Sequence, residues 1–273
     1  MAHASGNPKR RFFNPPNFQK QAGLEGSQQE LFPLTTLSES LGAETLESAG
    51  MVLASDNNWY HIKDDKNGFP ARASEFLCGG ILRELGVLCP QYRIIQMQSG
   101  DLLFGSKKVS GIAEATETAA MLRSAPDYPT QFPGLCSFLS SLFAFDRFMH
   151  NVDRHSGNFL AHSSVAGLMF LPIDHSQSAF SFWPFANFEG GSNTLTFARI
   201  HFKNHGFDLA TALAMVDRIA AIPSEKIIAL LAGMPSEWIA DNVRSAFISW
   251  WGGPEFFARL DKLRKGLADG SLL

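Results

Sequence analysis

Cysteine is scarce in this sequence. There are three cysteines, Cys78, Cys89 and Cys136, and no two of them form a Cys-x-x-Cys pair. An odd and dispersed set gives neither a disulfide framework nor a thiolate zinc site. The cysteines therefore favour a reducing compartment, and we expect a cytoplasmic protein.

Long apolar runs are also absent. No window reaches the roughly 18 uncharged apolar residues that a membrane-spanning helix needs. The nearest approach, residues 135–145, is interrupted by Asp146 and Arg147 and is typical of a buried helix. The basic cluster near the N-terminus is not followed by an apolar segment, so the sequence predicts neither a secretory signal nor a membrane span.

The sequence has no excess of positive charge. It contains 23 Lys and Arg against 26 Asp and Glu, and the formal net charge is −3. This balance gives no broad basic field for nucleic acid. The apolar share of 45% and the charged share of 18% are those of an ordinary folded protein, and 273 residues suffice for one large or two-lobed domain.

The pattern of residues divides the chain into three parts. Residues 1–39 are rich in Asn, Gln and Pro without hydrophobic periodicity, and we expect a flexible N-terminal arm there. Residues 40–111 carry alternating segments around one amphipathic stretch, which predicts hairpins and a helix over 71–85. Residues 112–273 are predicted to be mainly helical, with one hairpin after residue 158. The layout is that of an α+β, bilobal, protein-kinase-like fold, although unrelated α+β proteins share the same order of elements.

Three oxygen-bearing side chains are expected to meet in the second half of the chain. Asp153 and Asn158 lie in a polar loop between a buried helix and a short strand, and Asp174 follows the next strand. A tight hairpin would bring Asp174 back beside Asn158. Phosphoryl transfer needs a carboxylate to orient the attacking hydroxyl and oxygen ligands for magnesium. The pattern therefore predicts an ATP- and Mg²⁺-dependent phosphotransferase.

Two other classes of function stay open at this point. The first is a metal hydrolase that would use Asp174 and histidines whose spacing does not match His-Glu-x-x-His, namely His150, His155, His162 and His175. The second is a binding module with a degenerate kinase fold, in which clustered carboxylates would have no physical purpose.

The motifs HNVDRHSGNFL and LPIDHSQSAF resemble the catalytic and metal-binding segments of HipA-like serine/threonine kinases, which are related in fold to the phosphatidylinositol kinases. The segments WYHIKDD and ASEFLCGGILRELGVLCP are similar to the family's strand lysine and following helix. The resemblance covers residues 44–265 and points to a compact branch of the family. The nucleotide loop departs from a Gly-x-Gly-x-x-Gly pattern.

The resemblance implies roles for individual residues. Asp153 would be the catalytic base, and Asn158 and Asp174 would bind Mg²⁺. Lys63 would contact the α- and β-phosphates of ATP and would pair with Glu75. The remaining nucleotide contacts would be a phosphate-covering turn that includes Ser48 and Gly50 and an adenine-binding connection over 107–111 that includes Lys107 and Ser110.

Two of these residues have a structural alternative. Lys63 at the end of an edge strand could be a solvated residue that prevents aggregation. His155 is the second residue predicted to be catalytic, since it could steady the catalytic loop or touch the γ-phosphate. Its structural alternative is a hydrogen bond to the backbone of its own loop.

The resemblance also suggests the class of acceptor, which would be a serine or threonine hydroxyl on a protein. A lipid head group is the alternative, disfavoured because no basic patch is evident. A regulatory protein partner is compatible with the sequence, which identifies none.

Overall fold

The computed structural model describes residues 32–40, 50–124, 134–164 and 167–273. A mixed α/β chain is seen, with a β-rich N-terminal lobe followed by a helical C-terminal lobe, as the sequence predicts. The strands of the N-lobe and its helix are β1 (Leu34–Ser40), β2 (Gly50–Ala54), β3 (Trp59–Lys63), α1 (Ala71–Glu84), β4 (Tyr92–Gln96) and β5 (Leu102–Lys107).

The N-lobe strands form a closed barrel in the order β1-β2-β3-β5-β4. Neighbouring strands are antiparallel except β1 and β4, which pair in parallel through Leu34 and Ile95. The two hairpins were expected because turn residues separate alternating segments. Strand β1 differs from expectation, since residues 34–39 were assigned to the flexible arm. Only Leu34 and Leu37 are apolar in β1, so its pairing with β2 and β4 stabilises it more than its own pattern does.

The apolar face of helix α1 packs in the core that the two lobes share. Phe76, Leu77, Ile81 and Leu82 are buried, and each such side chain contributes about 1.5–3 kcal/mol on burial. Gly86, with φ of +65°, follows the helix, where a left-handed residue commonly ends one.

The C-lobe contains helices and one two-stranded sheet. Its elements in chain order are α2 (Ala115–Ser124), α3 (Leu135–Phe148), β6 (Phe159–Ser164), β7 (Gly167–Pro172), α4 (Asn193–His205), α5 (Leu209–Ala220), α6 (Ser224–Ala232), α7 (Asp241–Trp250) and α8 (Pro254–Ala268). Helix α4 was not predicted, because its residues have no clear apolar periodicity. Helix α3 is largely buried and ends directly before the polar loop 149–158.

One large cluster of buried side chains joins the two lobes. It includes Phe76 and Leu77 of α1 together with apolar residues of α3, α5 and α8. A second and smaller cluster, centred on Val52, Tyr60 and Ile95, fills the barrel. The larger cluster therefore fixes the N-lobe against the helices of the C-lobe, including α3, which precedes the loop 149–158.

Candidate active site

The loop 149–158 is fixed by a buried carboxylate one turn before it. Asp146 on α3 is 1% exposed and accepts a hydrogen bond of 2.9 Å from Asn151 Nδ2. It also accepts hydrogen bonds of 2.8 and 2.9 Å from the guanidinium of Arg154. A buried carboxylate needs such partners because its desolvation is otherwise uncompensated. Asp146 thus connects the helix to two residues inside the loop.

Arg154 joins the loop to the β6–β7 hairpin. Its guanidinium is 1% exposed and donates to the carbonyl oxygens of Asn158 and Ile173. It also lies 3.2 Å from Nδ1 of His175. Burial next to Arg154 lowers the pKa of His175 well below its ordinary value, which keeps that imidazole neutral. Arg154 therefore sets the position of both segments that carry the predicted site.

The hairpin brings Asn158 and Asp174 together. Phe159 pairs with Pro172, and the amide of Ile173 donates to the carbonyl of Asn158 at 3.0 Å. Asp174 has φ of +60°, a left-handed conformation that Asp tolerates better than most residues and that is found at functional sites. Its Oδ1 accepts hydrogen bonds from the amide and hydroxyl of Ser176. This donor set of one carboxylate and one amide fits Mg²⁺, which takes few protein ligands together with nucleotide phosphates.

Lys63 reaches the same place from the end of β3. Its Nζ lies 3.0 Å from Asp174 Oδ2 and 3.7 Å from Glu75 Oε1. The side chain of Lys63 is 12% exposed, so it is not a solvated edge residue. The expected pairing with Glu75 is present as an ion pair, and the hydrogen bond is made to Asp174.

Glu75 is an unusual carboxyl in this site. It is 5% exposed, and Oε1 is a buried oxygen without a hydrogen-bond partner among the described atoms. Burial raises its pKa to about 8, the neighbouring Asp174 carboxylate raises it too, and Lys63 opposes the rise. Glu75 is therefore a group that can accept a proton near neutral pH.

A cleft of about 650 Å³ lies between the lobes at these residues. Of the predicted nucleotide-binding residues, Gly50, Lys63, Glu75 and Lys107 line it, as does Asp174. Ser110 is exposed in the connection after β5 and is not among the lining residues. Ser48 lies outside the described residues.

His155 contacts its own backbone. Its Nδ1 accepts a hydrogen bond of 3.1 Å from the amide of Gly157, and the residue is exposed. A Cβ at position 157 would lie 2.9 Å from the ring carbon Cε1 of His155, so the glycine permits this close approach. This hydrogen bond is the backbone contact that was named above as the structural alternative for His155.

Asp153 is held by residues that the sequence analysis did not assign to the site. Its Oδ1 accepts from Asn193 Nδ2 at 2.5 Å, and its Oδ2 accepts from Gln177 Nε2 at 3.2 Å. Asn158 Nδ2 donates to the backbone carbonyl of Asp153 at 3.0 Å. Ser192, which caps α4 by accepting from the amide of Leu195, was a local signal of a helix start there.

The alternative of a metal hydrolase finds no support in the described part of the chain. Within it, no three His, Cys, Asp or Glu side chains are grouped so that they could hold a metal ion.

In the part of the chain that the structure describes, no helix is long and apolar enough to cross a bilayer.

The β-rich lobe, the helical lobe and the cleft between them define a protein-kinase-like fold. The chain belongs to the HipA-like kinase family, because the model of that family matches residues 51–248, well over half of the sequence. No curated protein gave a match to this sequence.

Two solved structures are similar to this chain. The proinflammatory kinase CtkA of Helicobacter pylori superposes with a TM-score of 0.53 and 14% identity, covering 87% of this chain and 96% of that one. HipA of Shewanella oneidensis MR-1, solved with HipB and operator DNA, gives a TM-score of 0.49 and 11% identity, covering 76% and 60%. At these identities the likeness shows the fold alone.

Proposed function

We propose that this protein transfers the γ-phosphate of Mg·ATP to a serine or threonine hydroxyl on a protein acceptor. The observation that supports the proposal is the contact of Lys63 with Asp174 at the cleft between the lobes. Asp174 follows the strand that pairs with the segment after Asn158, and Asn158 in turn donates to the backbone carbonyl of Asp153. The choice of a protein hydroxyl is inferred from membership of the HipA-like kinases.

Each residue has a task in this reaction. Asn158 and Asp174 supply the oxygen atoms that would hold Mg²⁺, which neutralises charge on the phosphates. Lys63 is a cation at the rim of the same site, within hydrogen-bonding distance of Asp174. When nucleotide enters, Lys63 is placed to pair with phosphate oxygens.

Asp153 would orient the acceptor. The hydroxyl oxygen forms a bond to the γ-phosphorus as the bond to the β,γ-bridging oxygen breaks, and ADP leaves. The proton of the hydroxyl passes to the carboxylate of Asp153. Such a base contributes typically 10²–10⁴-fold to the rate.

The test uses the full chain, labelled ATP and a cell lysate, with mass spectrometry of the labelled species. We expect label on serine or threonine of protein, and its loss in Asp153→Ala. Asp153→Ala should still be stabilised by Mg·ATP in a thermal melt, because the base holds the acceptor more than the nucleotide. The control Asp261→Ala removes a surface carboxylate on α8 and should leave transfer unchanged.

Two results would contradict the proposal. The first is a parent protein whose melting temperature does not move with millimolar Mg·ATP. The second is label in lipid and none in protein, which would favour the lipid head group as acceptor.

A further inference from the structure

Both oxygens of the Asp153 carboxylate are held by neutral amides from outside its loop. Gln177 follows the β6–β7 hairpin, and Asn193 is the first residue of α4. Among the described residues, no Lys, Arg or His forms an ion pair with Asp153. The carboxylate is thus fixed in orientation while its charge stays unpaired.

The amide of Asn193 is placed by a rigid neighbour. Thr194 is 1% exposed, and its hydroxyl donates to the carbonyl of Asn151 at 2.7 Å and accepts from the amide of Arg154 at 2.9 Å. Its own amide donates to the carbonyl of Val152 at 3.3 Å. Three hydrogen bonds therefore join the first turn of α4 to the loop on both sides of Asp153.

Gln177 is attached to the loop as well, because its carbonyl accepts from the amide of Val152 at 3.2 Å. The two amides differ in exposure. Gln177 is half-buried, whereas Asn193 is exposed. Asn193 is therefore the amide of the pair that is more accessible to an acceptor arriving from solvent.

We propose that Asn193 is a positioning residue that holds Oδ1 of Asp153 in place while the acceptor hydroxyl approaches. This inference rests on the proposed function. A carboxylate has about four lone-pair sites on two oxygens, so one amide on each leaves room for the hydroxyl. A neutral donor fixes the carboxylate without pairing its charge, whereas an arginine or lysine there would form an ion pair with it. Positioning of this kind is a large part of the rate of group transfer.

Substitutions at position 193 separate positioning from packing. Asn193→Ala removes the donor, and we expect kcat for transfer to fall by about tenfold or more with an unchanged KM for Mg·ATP. Asn193→Asp keeps the shape but sets a second carboxylate against Asp153, so its kcat should fall further than that of Asn193→Ala. If the side chain only filled space, the order would be reversed, because Asp is the closest isostere.

The chain offers a matched control. Asn242 is an exposed residue in the first turn of α7, and no hydrogen bond of its side chain is seen in the described structure. Asn242→Ala and Asn242→Asp make the same chemical changes at another helix start and should leave kcat unchanged.

A second measurement does not depend on activity. Asp153→Ala, Asn193→Ala and the double variant form a cycle of melting temperatures, and contact between the two side chains predicts losses that are not additive. Additive losses would overturn the inference, as would an Asn193→Asp variant with the kcat of the parent. A parent without transfer to any acceptor would count against the proposed function, while non-additive melting temperatures would still support the contact at Asp153.

Discussion

At the scale of single residues, Lys63 is the most informative side chain in the cleft. It lies between two carboxyls, with Asp174 at 3.0 Å and Glu75 at 3.7 Å. A lysine between two acids stabilises both, and its removal leaves them facing each other. Glu75 can relieve the repulsion by taking a proton, since its pKa is about 8.

Lys63→Met should therefore separate ligand binding from stability. We expect the shift in melting temperature on adding Mg·ATP to disappear, because the cation beside the phosphates is gone. The free energy of unfolding should fall by only roughly 1–3 kcal/mol, because protonation of Glu75 limits the cost. Differential scanning fluorimetry with and without Mg·ATP measures both.

The control for this variant is Lys66→Met. Lys66 is 75% exposed and pairs with Asp64 at the surface, so its loss should change neither quantity. A Lys63→Met protein that Mg·ATP stabilises as well as the parent would show that another cation contacts the phosphates, with Lys107 as the first candidate because it also lines the cleft.

At the scale of elements, the loop 149–158 and the β6–β7 hairpin act as one unit through Arg154. Its planar guanidinium donates in several directions at once, to Asp146 and to two backbone carbonyls. A lysine carries the same charge but cannot reproduce this fork of donors.

Arg154→Lys should lower the free energy of unfolding by roughly 3 kcal/mol, because buried acceptors lose their partners. It should also weaken Mg·ATP binding, since Asn158 and Asp174 would no longer be held in register. Urea unfolding and calorimetric titration measure the two effects. Arg218→Lys on the exposed side of α5 is the control, and equal stability of Arg154→Lys and this control would contradict the assignment.

At the scale of the whole molecule, the two lobes share one core. Trp238 of the C-lobe packs edge-to-face on Phe76 of α1 at 5.8 Å between ring centroids. Its Nε1 donates to the carbonyl of Leu102 in β5 at 3.0 Å. The barrel's own cluster is small by comparison. Tyr92, Ile94 and Phe104 of β4 and β5 belong to the core shared with the C-lobe, so these two strands and helix α1 connect the barrel to it.

We expect the lobes to unfold in one cooperative transition. Tryptophan fluorescence and far-ultraviolet circular dichroism should give the same midpoint in urea. Trp59 is the tryptophan of β3, so the difference between the parent and Trp59→Phe reports on the barrel alone. A midpoint at a lower urea concentration for that difference signal would mean that the barrel unfolds separately from the rest of the protein.

Much of the site could be predicted because it is local. Asn158 and Asp174 are brought together by a single short hairpin, whose register follows from the tight turn and from alternation along its strands. The hairpins of the barrel and helix α1 likewise follow from turn residues and periodicity within short windows. The motifs that resemble the HipA-like kinases are also continuous segments, so they could be recognised without knowledge of the tertiary structure.

The sequence by itself thus determined the order of most elements, the bilobal kinase-like class and the hairpin that brings Asp174 back to Asn158. Only the tertiary structure decided that β1 joins the barrel beside β4, that Lys63 bonds Asp174 and that Asn193 holds Asp153. Each of these contacts links segments that are far apart in the chain. Periodicity reports which face of an element is buried, but the partner across the core depends on how all elements pack together.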